Sequence, residues 1–125
     1  MSTPIKTEDL VQLYKELWST TDEARRHELA SQLLSDHATV SIAQPQTLQI
    51  HGHADIETHI AFIHKDLVEN GLRFRVLDNT IGRNNNAVKF SFQAVNGADE
   101  AVVNATVFLI LDDENRVVSD HTFFG

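Results

Sequence analysis

No cysteine occurs in the 125 residues, which removes a disulfide framework, thiolate metal sites and cysteine nucleophiles together. Five glycines and two prolines are too few for a fibrous or low-complexity chain. No apolar stretch approaches the roughly 18 residues of a membrane span, and no apolar h-region of a secretory signal stands near the start. Basic residues are also in deficit. Ten Lys and Arg face eighteen Asp and Glu, for a net charge of −8, and no basic run is longer than Arg25-Arg26. That is the wrong sign for tracking a phosphate backbone. Together these absences predict no nucleic-acid partner, no membrane partner and a cytoplasmic location.

What is present is an ordinary globular composition, 42% hydrophobic and 22% charged. A chain of this length forms one core, so a single domain over 1–125 is expected. Any chemistry must come from His, Asp, Glu, Tyr or Ser. Thr7, Glu8 and Asp9 offer a cap and two acids for a first helix, followed by Leu10, Leu13, Tyr14, Leu17 and Trp18 at 3-4-3-4 spacing. Thr20 and Glu23 have capping-box spacing, which predicts a second helix with Arg26, Leu29, Ala30, Leu33 and Leu34 on its buried stripe. Thr39–Ile42 and Leu48–Ile50 read as two short strands separated by Gln44-Pro45-Gln46. A third helix is predicted from about Ala54 to Glu69, with Ile56, Ile60, Ile63 and Leu67 inward and Asn70-Gly71 as its C-terminal stop. Strands then follow over Leu72–Ile81, Ala87–Val95, Ala101–Leu111 and Arg116–Phe124, with Asn96-Gly97 marking a hairpin. Helices first and strands last predict an α+β domain, its helices covering one face of an antiparallel sheet.

Several segments carry a resemblance beyond periodicity. They are Tyr14-Lys15-Glu16-Leu17-Trp18, Ser35-Asp36-His37-Ala38-Thr39-Val40, Gly52-His53-Ala54-Asp55-Ile56, and Arg116-Val117-Val118-Ser119 with Phe124-Gly125. In this order they resemble the nuclear-transport-factor-2-like superfamily, in its ketosteroid isomerase and SnoaL-like (polyketide cyclase-like) branch. The resemblance implies a cone: a curved antiparallel sheet wrapped around three helices, an apolar internal pocket, and a homodimer through the outer sheet face. Ketosteroid isomerases use a carboxylate base with an oxyanion hole of a Tyr and a protonated Asp. Residue matching puts Tyr14 in the place of that Tyr, but Ile42 in the place of the base and Val107 in the place of the Asp. Loss of a general base alone costs about 10²–10⁴ in rate, so ordinary ketosteroid isomerisation is not expected.

If Val107 points inward as the resemblance implies, strand alternation places Val103, Ala105, Leu109 and Leu111 inward with it, along with Val88, Phe90 and Phe92 of the preceding strand. On the last strand Val118, Asp120, Thr122 and Phe124 would face in. Asp120 is then the carboxylate placed among apolar residues, where desolvation raises its pKa toward a usable acid or base. Candidate catalytic residues are Asp120, Tyr14 as hydrogen-bond donor, and His59 at the edge of the third helix's apolar stripe. Candidate ligand-binding residues are Trp18, Ile42, Phe90, Phe92, Val107 and Phe124. The blander readings are a solvated Asp120, a Tyr14 satisfied within the core, a structural His59 and a Trp18 packed in the core.

Seven histidines raise the metal question. His51 and His53 are separated by Gly52 where a helix begins, and His59 and His64 lie about 140° apart around a helix. No metal and no cofactor are therefore expected, and no nucleotide-binding or nucleophile-elbow motif occurs. Asp112-Asp113-Glu114 lacks calcium-loop spacing and reads as a solvated turn. Two functions stay open. One is a pocket for a small apolar, carbonyl-bearing molecule, with or without cofactor-independent isomerase, dehydratase or cyclase-type acid/base chemistry. The other is a noncatalytic dimerisation or interaction module whose pocket is filled by Trp18, Phe90, Phe92 and Phe124.

Overall fold

The 3-4-3-4 apolar spacing forms helix α1 (Thr7–Ser19), which buries Leu10, Val11, Tyr14 and Leu17. In this computed structural model, which describes residues 6–43 and 47–124, both predicted helix starts shift. Lys6, not Thr7, is the first cap, and it makes no side-chain bond. The second helix, α2 (Glu23–Leu33), is capped by Asp22, whose Oδ1 accepts from the N–H groups of Ala24 at 2.9 Å and Arg25 at 3.3 Å. Thr20 Oγ1 instead accepts from the Asp22 N–H, so the expected capping box does not form. Arg26 is buried and donates to the Thr20 carbonyl just past α1, satisfying an end-of-helix acceptor with a cation.

Helix α2 runs without a loop into β1 (Leu34–Ala43), ten residues against the four expected; Leu34 already pairs with Val117 of the last strand, and Thr39–Ala43 are paired on both sides. Strand β2 (Thr47–His51) forms a hairpin with it; the predicted Gln44-Pro45-Gln46 turn lies outside the described residues. Gly52, at φ 82°, enters α3 (His53–Glu69), and Gly71, at φ 68°, leaves it, both in backbone conformations that favour glycine. Strands β3 (Arg73–Asn84), β4 (Ala87–Val95), β5 (Ala101–Leu111) and β6 (Val117–Phe124) complete a six-stranded sheet of order β2-β1-β6-β5-β4-β3.

The sheet is mixed rather than antiparallel. After α3 carries the chain to the far edge, three reversals bring β6 back beside β1 running in the same direction. Register shifts between Leu77 and Gly82 and between Ile110 and Leu111 bend the strands, as bulges do, and the open sheet is curved. The second shift also corrects the alternation at the start of β6: Val117 pairs with Leu111 and is fully buried, while Val118 is only half-buried. Beyond it the expected parity holds. Asp120 and Thr122 are buried; Ala105, Val107 and Leu109 on β5 and Val88 and Phe90 on β4 are buried with them. Val88, Phe90, Val107 and Leu109 join the inner stripes of the three helices in one core.

Candidate functional site

Tyr14 reaches the sheet because it lies on the same α1 stripe as Leu10 and Leu17, which are both buried. Asp120 faces it because β6 alternates and sits between β1 and β5, with Val40 and Leu109 as its ladder neighbours. The Tyr14 phenol donates to Asp120 Oδ2 at 2.6 Å, and the Thr122 hydroxyl donates to Oδ1 at 2.9 Å. Asp120 is only 2% exposed. Burial pushes its carboxyl pKa up to about 6, against the pull of the two hydroxyl donors and of nearby His121. Burial, reinforced by the adjacent carboxylate, also raises the Tyr14 phenol well above its ordinary value, so the phenol keeps its proton.

A cavity of about 270 Å³ opens beside this cluster. Tyr14 and Thr122 border it, whereas Asp120 lies behind them and forms no part of its lining. The structure brings Trp18, Ile42, His59, Phe90, Phe92 and Phe124 to the same walls. Val107 is fully buried but does not line the cavity, which corrects its assignment as a contact residue. It sits deeper in the core, paired across the ladder with Thr122 and Phe90. Leu48, 49% exposed, and partly exposed Lys15 also belong to the lining, so the cavity reaches the surface on their side.

His59 lies where α3 meets Trp18, the two rings edge to face at 6.2 Å, and the Tyr14 ring stands 6.1 Å from the same indole. His59 Nε2 is buried and has no hydrogen-bond partner among the described residues. Burial lowers the His59 pKa, which keeps the imidazole neutral at neutral pH. The cavity is thus an apolar box bordered by two hydroxyl-bearing side chains backed by a carboxyl, with the His59 ring on its wall. Thr122 and Phe74 were not among the sequence candidates. Thr122 was legible as the second inward residue after Asp120, while Phe74 enters by alternation on β3 and stacks edge to face on both Trp18 and Phe92.

Among the described residues no three potential metal ligands gather. His51 Nδ1 shares a hydrogen bond with Thr39 Oγ1, and His53 Nε2 bonds the Ser35 carbonyl.

No protein-family model matches the sequence, and no curated protein matches it. Solved structures do. A candidate isomerase of the SnoaL-like family from Agrobacterium tumefaciens superposes with a TM-score of 0.83 at 21% identity, over 95% of this chain and 97% of that one. A protein of unknown function from Cytophaga hutchinsonii, described as NTF2-like (nuclear transport factor 2-like), gives 0.66 at 15% identity, over 100% of this chain and 95% of that one. This chain has the nuclear-transport-factor-2-like fold. Within that fold a candidate ketosteroid isomerase from Kribbella flavida superposes at 0.68 and 19% identity, over 95% of this chain and 77% of that one. At such identities the likeness is one of fold, and function has to be argued from the site. Of the two positions that the resemblance matches to the ketosteroid isomerase carboxylates, Ile42 lies on the cavity wall and Val107 is buried off it.

Proposed function

We propose that this protein holds a small apolar, carbonyl-bearing molecule in the cavity and moves a proton to its oxygen through Tyr14 from Asp120. The observation that carries the reading is the 2.6 Å hydrogen bond joining a cavity-lining phenol to a buried carboxyl behind it. Apolar walls with a few convergent polar groups are the ordinary composition of a small-molecule site. The carboxyl pKa near 6 lets Asp120 give and take a proton near neutrality.

The chemistry closest to this arrangement is enolisation. The ligand's carbonyl oxygen takes the phenol proton, Tyr14 regains one from the Asp120 carboxyl, and the His59 imidazole accepts the proton leaving the α-carbon. The product is an enol beside an imidazolium and a carboxylate, and reversal returns every proton. This is cofactor-independent acid/base chemistry of the isomerase, dehydratase or aldol type, and it does not follow the ketosteroid isomerase route. The test is a panel of small cyclic ketones titrated against the intrinsic fluorescence of Trp18, the chain's single tryptophan, followed by α-carbon deuterium exchange for those that bind. Absence of saturable binding across the panel would count against the reading. The alternative of a filled pocket is disfavoured by the space left between Trp18, Phe90, Phe92 and Phe124.

The outer sheet face supports a homodimer within the same proposal. Phe108 and Phe123 stack edge to face at 5.8 Å and are 40% and 51% exposed, and Val102, farther along the strand of Phe108, is 51% exposed. A contiguous aromatic patch on open solvent is uncommon in a monomer.

A further inference from the structure

Resting on the cavity as a small-molecule site, we infer that its hydroxyl end is an acceptor surface while Asp120 is ionised, so that it selects an apolar alcohol over the matching ketone. A single proton on the carboxyl reverses this and admits the ketone.

The inference follows from counting protons. A phenol and a threonine hydroxyl each carry one donor proton. Tyr14 places its proton on Asp120 Oδ2 and Thr122 places its proton on Oδ1. Tyr14 and Thr122 line the cavity and Asp120 does not, so a ligand at that end is offered the two hydroxyls rather than the carboxyl. A carbonyl oxygen entering there faces two acceptors with no proton between them, while an alcohol can donate. When the carboxyl gains a proton, that proton lies toward Tyr14 or Thr122, its two side-chain partners. The hydroxyl that now accepts turns its own proton to the cavity. Each protonation state of Asp120 is therefore complementary to one member of a carbonyl/hydroxyl pair, as an enolising site requires for the keto and enol forms in turn.

Few other groups can set this switch. From the flanking strands β1 and β5, Asp120 meets Val40 and Leu109 across the ladder. His121, next on β6, is exposed, and its charge favours the carboxylate. Across the cavity stand Lys15 on α1 and His59 on α3. His59 could itself become a donor in acid, so the experiment must separate it from Asp120.

The test compares 2-adamantanol with 2-adamantanone, two rigid molecules of one skeleton, neither of which titrates. Binding is read from Trp18 fluorescence on the full chain between pH 8 and pH 5.5. At pH 8 the alcohol should bind about ten-fold more tightly, the usual weight of one buried hydrogen bond made or left unmade. As the pH falls the ketone should tighten by about five- to ten-fold, while the alcohol, which can donate or accept, stays nearly constant. In Asp120→Asn the amide accepts from one hydroxyl and donates to the other, so ketone binding should be strong and flat with pH. His59→Gln should keep the wild-type pH dependence. Equal binding of alcohol and ketone at pH 8, or a ketone affinity that still rises in acid in Asp120→Asn, would overturn the inference while leaving the cavity reading intact. If neither compound binds at any pH, the cavity reading falls and this one with it. Circular dichroism at each pH checks that the variants stay folded; the wild-type comparison decides the matter even if one does not.

Discussion

Tyr14 and Asp120, 106 residues apart in the chain, meet in the core through a 2.6 Å hydrogen bond that closes the polar end of an otherwise apolar cavity. A helix near the start and the last strand are tied together at one carboxyl. A charge that is costly to bury persists there because two hydroxyls donate to it. The relationship bears on stability, on titration and on what the cavity accepts, and each can be measured.

The first prediction concerns stability and pH. Asp120 holds its proton up to about pH 6 in the folded state, against 3.8 for an unperturbed carboxyl. Its protonation therefore stabilises the fold fully below the unfolded value, and that contribution is lost as the pH rises through about 6. Linkage puts the loss at about 3 kcal/mol. Asp120→Asn carries no such dependence. In urea unfolding, the stability of Asp120→Asn relative to wild type should improve by about 2–2.5 kcal/mol between pH 4 and pH 7.5, the part of that loss lying above pH 4. A constant difference would mean that the carboxyl is solvated in solution.

Tyr14→Phe should act on the same carboxyl from the other side. The phenol hydrogen bond favours the charged form of Asp120, so removing it should raise the carboxyl pKa above about 6. The variant should lose about 1–3 kcal/mol of stability at pH 8, where it leaves a buried carboxylate one donor short, and less at pH 5. Carbon-13 NMR titration of the aspartate carboxyls reads the first effect and denaturation reads the second. A lowered carboxyl pKa in Tyr14→Phe would contradict the hydrogen-bond assignment.

Much of this geometry was legible before any coordinates. Alternation on the last strand placed Asp120 and Thr122 inward, and helical spacing placed Tyr14 on the buried stripe, because both patterns report burial directly. That they meet depends on which strands become neighbours. The parallel pairing of β1 with β6 has no local signal: strand direction is decided by the number of chain reversals, and the sheet was expected to be antiparallel. The alternation also failed at Val117, where a bulge one residue long reverses the face. At the helix starts, Asp22 displaced Thr20 as cap because its carboxylate reaches two N–H groups. Burial of Val107 was anticipated; its absence from the cavity wall was not, since alternation gives the face of a strand but not the depth along it.

Oligomeric state gives a prediction independent of the cavity. If Phe108 and Phe123 cover a second copy, light scattering at tens of micromolar should give twice the chain mass (an order-of-magnitude concentration for a micromolar-or-tighter dimer). Phe123→Lys should halve that mass. In a monomer the same exposed substitution would change stability by no more than about 0.5 kcal/mol. A monomeric wild type removes the homodimer from the proposal.

The last prediction joins the acid and the base in one rate. Enolisation by the proposed route needs Asp120 protonated, to supply Tyr14, and His59 neutral, to take the α-proton. Asp120 loses its proton as the pH rises through about 6, which gives an alkaline limb. His59, its pKa lowered by burial, becomes charged only on the acid side, which gives the other limb. Deuterium exchange at the α-carbon of a bound cyclic ketone should therefore pass through a maximum on the acid side of neutrality, with limbs that belong to the coupled pair rather than to either residue alone. His59→Gln should slow exchange by about 10²–10⁴ and leave the binding of non-enolisable 2-adamantanone almost unchanged, because that ketone has no proton to give to His59 in this geometry. Tyr14→Phe should lower both exchange and ketone binding, since the phenol touches the carbonyl in each. An exchange rate that climbs steadily with pH would point to hydroxide or an exposed base as the agent, and proton transfer through Tyr14 would then have no part in the reaction.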